Sequence, residues 1–421
     1  MDDDDDKAGR KTIGVVVPSF EDTGGVTTVA EFILRAIARR PDLDVRIISL
    51  ATSAQDPRSL LASRPGTWRR GVTSSVGREH GHDFVHVGAQ LGEFEFQRLS
   101  GRPELTRLLE GCDLIQVVAG VPAWAGPVIG LGKPVILQVA TLTAVERRMR
   151  ARAESGPLAM WRAAMTRAVA HLDERALRRV DAVTVSNPWM LAHARAAAAT
   201  RPVRVLYAPP GVDMSLFRPL PPHEPRGDKA YILAVARFSD VRKNPMLLLD
   251  AYALFAQGLH EVPDLVLAGA DPPGAAFWAR VRTLGLADRI RFVLAPGVEA
   301  LADLYRRALC FALPSDEEGF GVVLIEAMAS GVPVVSTRCG GPEGIITDGI
   351  DGYLVDRDDA KAMSERFHRL AADPVAAHAM GQRGLATVEA RYSDRIAGEV
   401  FLNLYDEFLG AGAHAPLVMA R

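Results

Sequence analysis

Residues Pro314 to Pro333 read P-S-D-E-E-G-F-G-V-V-L-I-E-A-M-A-S-G-V-P. Two glutamates, Glu318 and Glu326, stand eight positions apart. Gly319, Phe320 and Gly321 follow the first, and the amphipathic turn Val322 to Ala329 carries the second. An acidic residue, a glycine-rich turn and a helix start, in that order, suit an anionic ligand. Helix-start amides hold anions, and glycines let a ligand approach the backbone. Carboxylates on either side suit a ligand rich in hydroxyls. Spacing alone also admits a blander reading, one helix-start glutamate favoured by the dipole and one surface glutamate.

The stretch lies inside a long alternation of short apolar runs and helical patterns. Around it, Tyr231–Val235, Asp264–Ala268, Ile290–Val293, Cys310–Leu313, Val332–Ser336 and Tyr353–Val355 read as strands. The first half repeats the pattern at Thr12–Val17, Asp44–Ser49, Asp83–Val87, Cys112–Val118, Pro134–Val139, Asp181–Val185 and Pro202–Tyr207. Apolar, β-branched runs of this length are buried parallel strands. The expected fold class is therefore α/β, with two doubly wound, Rossmann-like parallel sheets whose strands end on a cleft. Residues 11–208 form the first domain, the proline-rich 209–228 a linker, and 229–392 the second domain. Residues 393–421 hold a helix with no following strand, free to cross back to the first domain.

Composition sets the bounds. The chain has 421 residues, 48% apolar and 24% charged, which predicts a soluble protein of roughly two domains. No apolar run is long enough to span a membrane, and the start lacks an apolar signal core, so the expected location is cytoplasmic. Cys112, Cys310 and Cys339 have no metal-ligand spacing. Net charge is −2, and about +3 without Asp2 to Asp6, which argues against nucleic acid as a partner. Residues 1–10 are expected to be a disordered acidic tail, and their D-D-D-D-K also resembles an enterokinase recognition sequence.

Arg237 follows the strand Tyr231–Val235, and Lys243 comes six residues later, before Asn244-Pro245. A guanidinium fork and a point-charge ammonium together suit a diphosphate. Cations are unfavourable at a helix start, so a bound anion explains them better than two surface charges do. Strand Thr12–Val17 leads through Gly24-Gly25 into a helix, a phosphate-cradle order that a lone tight turn would also produce. Between Ala144 and Val180, Leu158, Trp161, Met165, Val169, Leu172 and Ala176 form a helical face, with arginines on the others. That helix reads as a solvated one, or as a weak peripheral contact with an anionic membrane.

The signature Pro314–Glu343, with V-A-R-F-S-D-V-R-K-N-P upstream, resembles the retaining glycosyltransferases of family four, which have the GT-B fold. The resemblance covers nearly all of the chain from Thr12 and is most specific from Tyr231 to Val355. It implies an enzyme that moves a sugar from a UDP-, GDP- or dTDP-linked donor to a hydroxyl of a small or lipid acceptor, with no cofactor and no metal. It implies that Glu318 contacts the transferred sugar and Glu326 holds the nucleotide ribose. Arg237 and Lys243 would clamp the diphosphate. The amides of Gly319, Phe320 and Gly321 would meet sugar hydroxyls, and those of Val322 and Val323 a phosphate. Gly24 and Gly25 would lie near the distal phosphate, and Gly297, in the loop Ala295–Val298, would serve the base. Glu343 follows Gly340-Gly341 as in the family.

One departure stands out. Ala140 falls where many members carry a histidine, in Q-V-A-T-L-T. Gln138, Thr141 or Thr143 is one source of a replacement, and His80, His82 or His86 another. The region Ala51 to Gln97 is expected to shape the acceptor site, with Glu95 and Arg98 as candidates and a small hydroxylated acceptor favoured over a lipid. A nucleotide-sugar epimerase would need an acid/base pair around the sugar, and none is evident. A non-catalytic nucleotide-sugar-binding protein would not require all four of Arg237, Lys243, Glu318 and Glu326.

Overall fold

A computed structural model describes residues 9–148, 155–221, 223–227, 229–257 and 259–410. Most of the expected acidic tail and the last part of the expected C-terminal segment lie outside them. The chain divides into two compact units. One holds the described residues through Pro210 and those from Ala397 onward; the other is Gly211–Ile396.

The first unit is built on eight strands: β1 Lys11–Pro18, β2 Leu43–Leu50, β3 Ser74–Glu79, β4 His82–Val87, β5 Leu114–Val118, β6 Val135–Val139, β7 Ala182–Val185 and β8 Arg204–Tyr207. Their order is β3-β4-β2-β1-β5-β6-β7-β8. All pairings are parallel except β3 with β4, a hairpin at the edge. The run of Val and Ile in β1, β5 and β6 is what burial on both faces requires. Residues 51–82, which the sequence left irregular, contain β3. Gly77 of β3 lies under the Phe84 ring, where a Cβ would come within 2.6 Å of that ring.

The helix Asp394–Leu409 supplies core to this unit. Phe401 stacks edge-on against Phe32 at 5.6 Å, and the buried Tyr405 hydroxyl donates to Oε1 of Gln116 at 3.0 Å. Gln116 is a polar residue in the middle of a fully buried strand, and this bond is its outlet.

The second unit has six parallel strands: β9 Tyr231–Val235, β10 Asp264–Gly269, β11 Ile290–Leu294, β12 Cys310–Leu313, β13 Val334–Thr337 and β14 Tyr353–Val355. They run β11-β10-β9-β12-β13-β14. Counted from β9 this is the order 3-2-1-4-5-6, whose topological switch point lies between β9 and β12. Ligands of open parallel sheets bind just past the carboxyl ends of the strands at such a point. The proline-rich stretch from Gly211 packs within this unit: Phe217 is buried, with its ring edge-on to Tyr305 at 5.8 Å. No helix among the described residues is long and apolar enough to cross a membrane.

Candidate functional site

The two strands that flank the switch point of the second unit deliver the residues singled out in the sequence. After β9, the chain passes Arg237 and a short turn, Val241–Lys243, into the helix Pro245–Ala256. Asn244 caps that helix from a left-handed conformation, φ 40°, and its side chain accepts from the Leu247 amide at 3.1 Å. The same side chain donates to Asp316 at 3.0 Å, which ties this turn to the segment after β12. The Asp316 amide donates to the Arg242 carbonyl at 2.8 Å, a second tie.

Those ties place Lys243 on Glu318. The ammonium Nζ donates to Oε1 of Glu318 at 2.7 Å, and the Ser315 hydroxyl donates to the same oxygen at 2.7 Å. Both charged side chains are mostly shielded from water. A backbone bridge fixes Glu318 itself: its amide donates to the Cys339 carbonyl at 3.1 Å, and its carbonyl accepts from Gly341 at 2.9 Å. Gly341 is needed there, since a Cβ would lie 2.2 Å from the Phe320 carbonyl oxygen. The Gly340 amide is held by Glu343 at 2.8 Å.

Gly321 has φ 99°, a left-handed residue that turns the chain into the helix Val322–Ala329. No side chain caps that helix and its first turn holds no acid. Phe320 is buried edge-on against Tyr392 at 5.7 Å, which anchors the turn. Glu326 is not a surface glutamate. It is 9% exposed, and the Tyr305 hydroxyl donates to its Oε2 at 2.8 Å. Burial raises its carboxyl to about 7, against the lowering effect of the Tyr305 hydrogen bond. One of its two oxygens therefore already has a protein partner. Tyr305, in the helix Val298–Arg307, was missed in the sequence because a tyrosine on an apolar helical face reads as core.

Arg237 is exposed, and its guanidinium has no ion pair among the described residues. The neighbouring Arg242 is instead committed to Asp240 at 2.7 Å, and although burial opposes it, this pairing holds the Asp240 carboxyl below the usual carboxylate range. Gly297 caps the helix Val298–Arg307 without a side-chain bond, next to Ala295, a non-glycine residue at φ 42°. This loop follows β11, two strands from β9, so about 10 Å along the sheet separates it from the Arg237 turn. The structure thus brings Lys243, Ser315 and Glu318 into contact, and no hydrogen bond or ion pair among the described residues joins Arg237 or Gly297 to them.

In the first unit, Gly24 and Gly25 begin the helix Gly25–Ala38 past the carboxyl end of β1. Gly24 has φ 152°, no side chain caps the helix, and its first turn holds no acid. The histidines offered as replacements for Ala140 belong elsewhere. His80, His82 and His86 lie on or beside β3 and β4, and β4 is four strands from β6, about 19 Å across the sheet. His80 pairs with Glu31 at 2.9 Å. His86 is buried between Asp56, 2.8 Å from Nε2, and Glu21, 3.0 Å from Nδ1. Against burial, those carboxylates lift it to about 9, and hydrogen bonds from His86 and Ser49 take Glu21 down to about 2. Beside Ala140, Gln138 donates to Ser186 at 2.9 Å and the Asn187 side chain donates to the Ala140 carbonyl at 2.7 Å. Acidic residues outside these turns are tied into ion pairs: Asp42 with Arg40 at 2.6 Å, Asp44 with Arg10 at 3.6 Å, and Asp356 with Arg338 at 3.7 Å.

Comparison with known proteins agrees with this geometry. Residues 220–386 match the family described as glycosyl transferases group 1. A D-inositol 3-phosphate glycosyltransferase of Segniliparus rotundus is 33% identical over 239 residues, 53% of this chain and 51% of that protein. A GDP-mannose-dependent alpha-(1-6)-phosphatidylinositol monomannoside mannosyltransferase of Mycolicibacterium smegmatis is 34% identical over 228 residues, 50% of this chain and 59% of that protein. The chain spans about half the length of the curated relatives it matches. Among solved structures, sucrose-phosphate synthase from Thermosynechococcus elongatus superposes with a TM-score of 0.72 at 23% identity, covering 96% of this chain and all of that one. Anabaena HepE in complex with UDP and glucose gives 0.66 at 15% identity, covering 94% of this chain and 99% of that one. These two likenesses show the fold. Residues 220–386 thus match the glycosyl transferases group 1 family, in a chain with the GT-B fold of two Rossmann-like units.

Proposed function

We propose that the protein is a retaining glycosyltransferase that takes a sugar from a nucleotide diphosphate donor to an acceptor hydroxyl, with no metal required. The observation that carries this function is the contact of Lys243 and Ser315 with Glu318, beside an uncapped helix start, at the switch point of a group 1 domain. The relatives add support for the donor. One is named as GDP-mannose-dependent and one solved neighbour holds UDP and glucose, so a UDP- or GDP-linked sugar is the first choice, with dTDP as the third.

Each residue then has a task. Arg237, without an ion pair among the described residues, and Lys243, whose ammonium has three donors and spends one on Glu318, offset the charge gathering on the departing diphosphate. Glu318 orients the sugar hydroxyls together with the amides of Gly319, Phe320 and Gly321. The amides of Val322 and Val323, the first of an uncapped helix, hold a phosphate oxygen. Glu326 accepts from a ribose hydroxyl through the oxygen that Tyr305 leaves over, and Gly297 serves the base. In the first unit, the uncapped helix start after Gly24-Gly25 is an anion site of the same kind.

In the transfer, the bond between the anomeric carbon and the diphosphate oxygen breaks, and the acceptor oxygen bonds to that carbon on the same face. The acceptor proton passes to a diphosphate oxygen. A panel of nucleotide sugars scored by thermal shift, followed by assay of sugar release without acceptor and of activity with a chelator, tests the function. Slow release from one donor, unaffected by chelation, is expected. Donor binding without any release points to a binding protein. An inverted anomeric centre in the product, read by NMR, overturns the retaining step.

A further inference from the structure

The first unit contains a cavity of about 700 Å³. It is walled by the segment Glu93–Arg98 that follows β4, by Ala144–Arg148 that follows β6, and by the start of the helix Pro157–Leu177. Two of the three walls therefore sit past the carboxyl ends of parallel strands, the side on which such sheets bind ligands. The volume is in the range of small-molecule sites, about 300–1,000 Å³.

Its charge is one-sided. Arg98, Arg147, Arg148, Arg162 and Arg167 line it, and two carboxylates face them. Both carboxylates are already engaged. Glu95 holds Arg147, with Nη1 at 3.1 Å from Oε2, and Glu93 accepts from the Ala62 and Ser63 amides at 3.0 and 2.9 Å. Arg148 and Arg167 have no ion pair among the described residues. Burial pulls the Arg98 guanidinium below its usual range; Glu95 opposes this and the positive charge of Arg147 adds to it. A bound anion would relieve that arrangement.

Apolar side chains share the same wall. Of the helical face read in the sequence, Val169 and Ala176 are buried. One turn earlier Met165 lines the cavity, and Trp161, next along the same face, lines it while 61% exposed. Phe94, 41% exposed, faces in from the β4 side. A site for a bare inorganic anion has no use for these three. We infer that the cavity seats a phosphate-bearing amphiphile, its phosphate on the arginines and its apolar segment against Phe94, Trp161 and Met165. This deepens the transferase function by naming the acceptor class, and it rests on that function for the word acceptor alone.

The test measures binding without any nucleotide sugar, so it stands apart from the donor site. The whole protein is titrated calorimetrically with octyl phosphate, glycerol phosphate and octyl glucoside. Octyl phosphate is expected to bind most tightly. The double variant R148Q/R167Q, which alters exposed side chains, should weaken it roughly ten- to a hundredfold, the value of one or two lost charge-assisted bonds. W161A should weaken octyl phosphate and leave glycerol phosphate unchanged. Equal binding of octyl phosphate and octyl glucoside, or wild-type binding by R148Q/R167Q, overturns the inference. Sedimentation with phosphatidylcholine vesicles, with and without phosphatidylinositol, decides the source of the phosphate. Arginine-dependent pelleting with phosphatidylinositol alone assigns it to a bilayer headgroup, and its absence alongside octyl phosphate binding assigns it to a soluble ester. If R148Q/R167Q binds octyl phosphate as tightly as the wild type while nucleotide sugars still bind, the cavity assignment falls and the donor site stands; weakened octyl phosphate binding in a protein that binds no nucleotide sugar sinks the transferase and keeps the cavity.

Discussion

Lys243 and Glu318, seventy-five residues apart in sequence, meet through a 2.7 Å hydrogen bond between Nζ and Oε1. The pair is held from both sides, by the Ser315 hydroxyl and by the Asn244–Asp316 bond. Each member keeps the other in place, and each has donor or acceptor capacity left for a ligand. Lys243→Ala is therefore expected to lower turnover by about 2–4 kcal/mol of transition-state free energy, roughly thirty- to a thousandfold. Arg237→Ala should do the same with less effect on stability, because the exposed Arg237 guanidinium has no ion pair to abandon among the described residues. Steady-state kinetics beside urea unfolding separates the two; wild-type turnover in either variant removes that residue from the diphosphate clamp.

Glu326 makes stability depend on pH. Its folded value of about 7 lies above the ordinary 4.5, so between these values the folded state holds a proton that the unfolded chain has lost. The stabilising contribution is full below about pH 4.5 and falls as pH rises to about 7, by on the order of 3 kcal/mol. Glu326→Gln keeps the shape and removes the titration. Unfolding free energies measured across this window should show a wild-type slope that the variant lacks, and parallel curves would refute it. The variant should also bind donor more weakly at about pH 8, where the wild type presents a carboxylate to ribose.

The opposite charge arrangement governs His86. Its folded value of about 9 exceeds the ordinary 6.5, so the cluster stabilises fully below about pH 6.5 and loses that contribution as pH passes about 9. His86→Gln is expected to cost on the order of 3 kcal/mol near neutrality. The gap to wild type should narrow above about pH 9. A gap that stays constant with pH assigns the loss to packing alone.

Gly341→Ala should act on the signature turn from outside it. The added Cβ would sit 2.2 Å from the Phe320 carbonyl oxygen, which is backbone and cannot swing aside. Displacement of the turn should cost about 1–3 kcal/mol in stability and weaken nucleotide-sugar binding. Thermal shift with and without donor reads both, and unchanged donor affinity would show that the turn tolerates the displacement.

Parallel strands were legible in the sequence because burial on both faces leaves an unbroken apolar run, as in the V-V-V of β1. Ser74–Glu79 was not, since an edge strand with one partner carries polar residues and here a glycine under Phe84. In the site, Lys243 and Glu318 were legible because both flank short turns beside apolar strands. Tyr305 was not, because its role depends on a hydroxyl that meets Glu326 only after two helices pack. The Glu21–His86–Asp56 cluster is the extreme case: Glu21 follows β1, Asp56 follows β2 and His86 lies in β4, and no local pattern joins them. The helix Pro157–Leu177 shows the reverse error: of its regular apolar face Val169 and Ala176 are buried while Trp161 is 61% exposed.

The helix Asp394–Leu409 brings the far end of the chain into the core of the first unit, through Phe401 and Tyr405. A ribosome delivers residues in order, so Gly211–Ile396 is synthesised before that core can close. The first unit must then wait, with Phe32 and Gln116 lacking their partners, while the second unit completes. Translation pauses late in the message, or chaperones that shield apolar strands, would bear on the first unit far more than on the second.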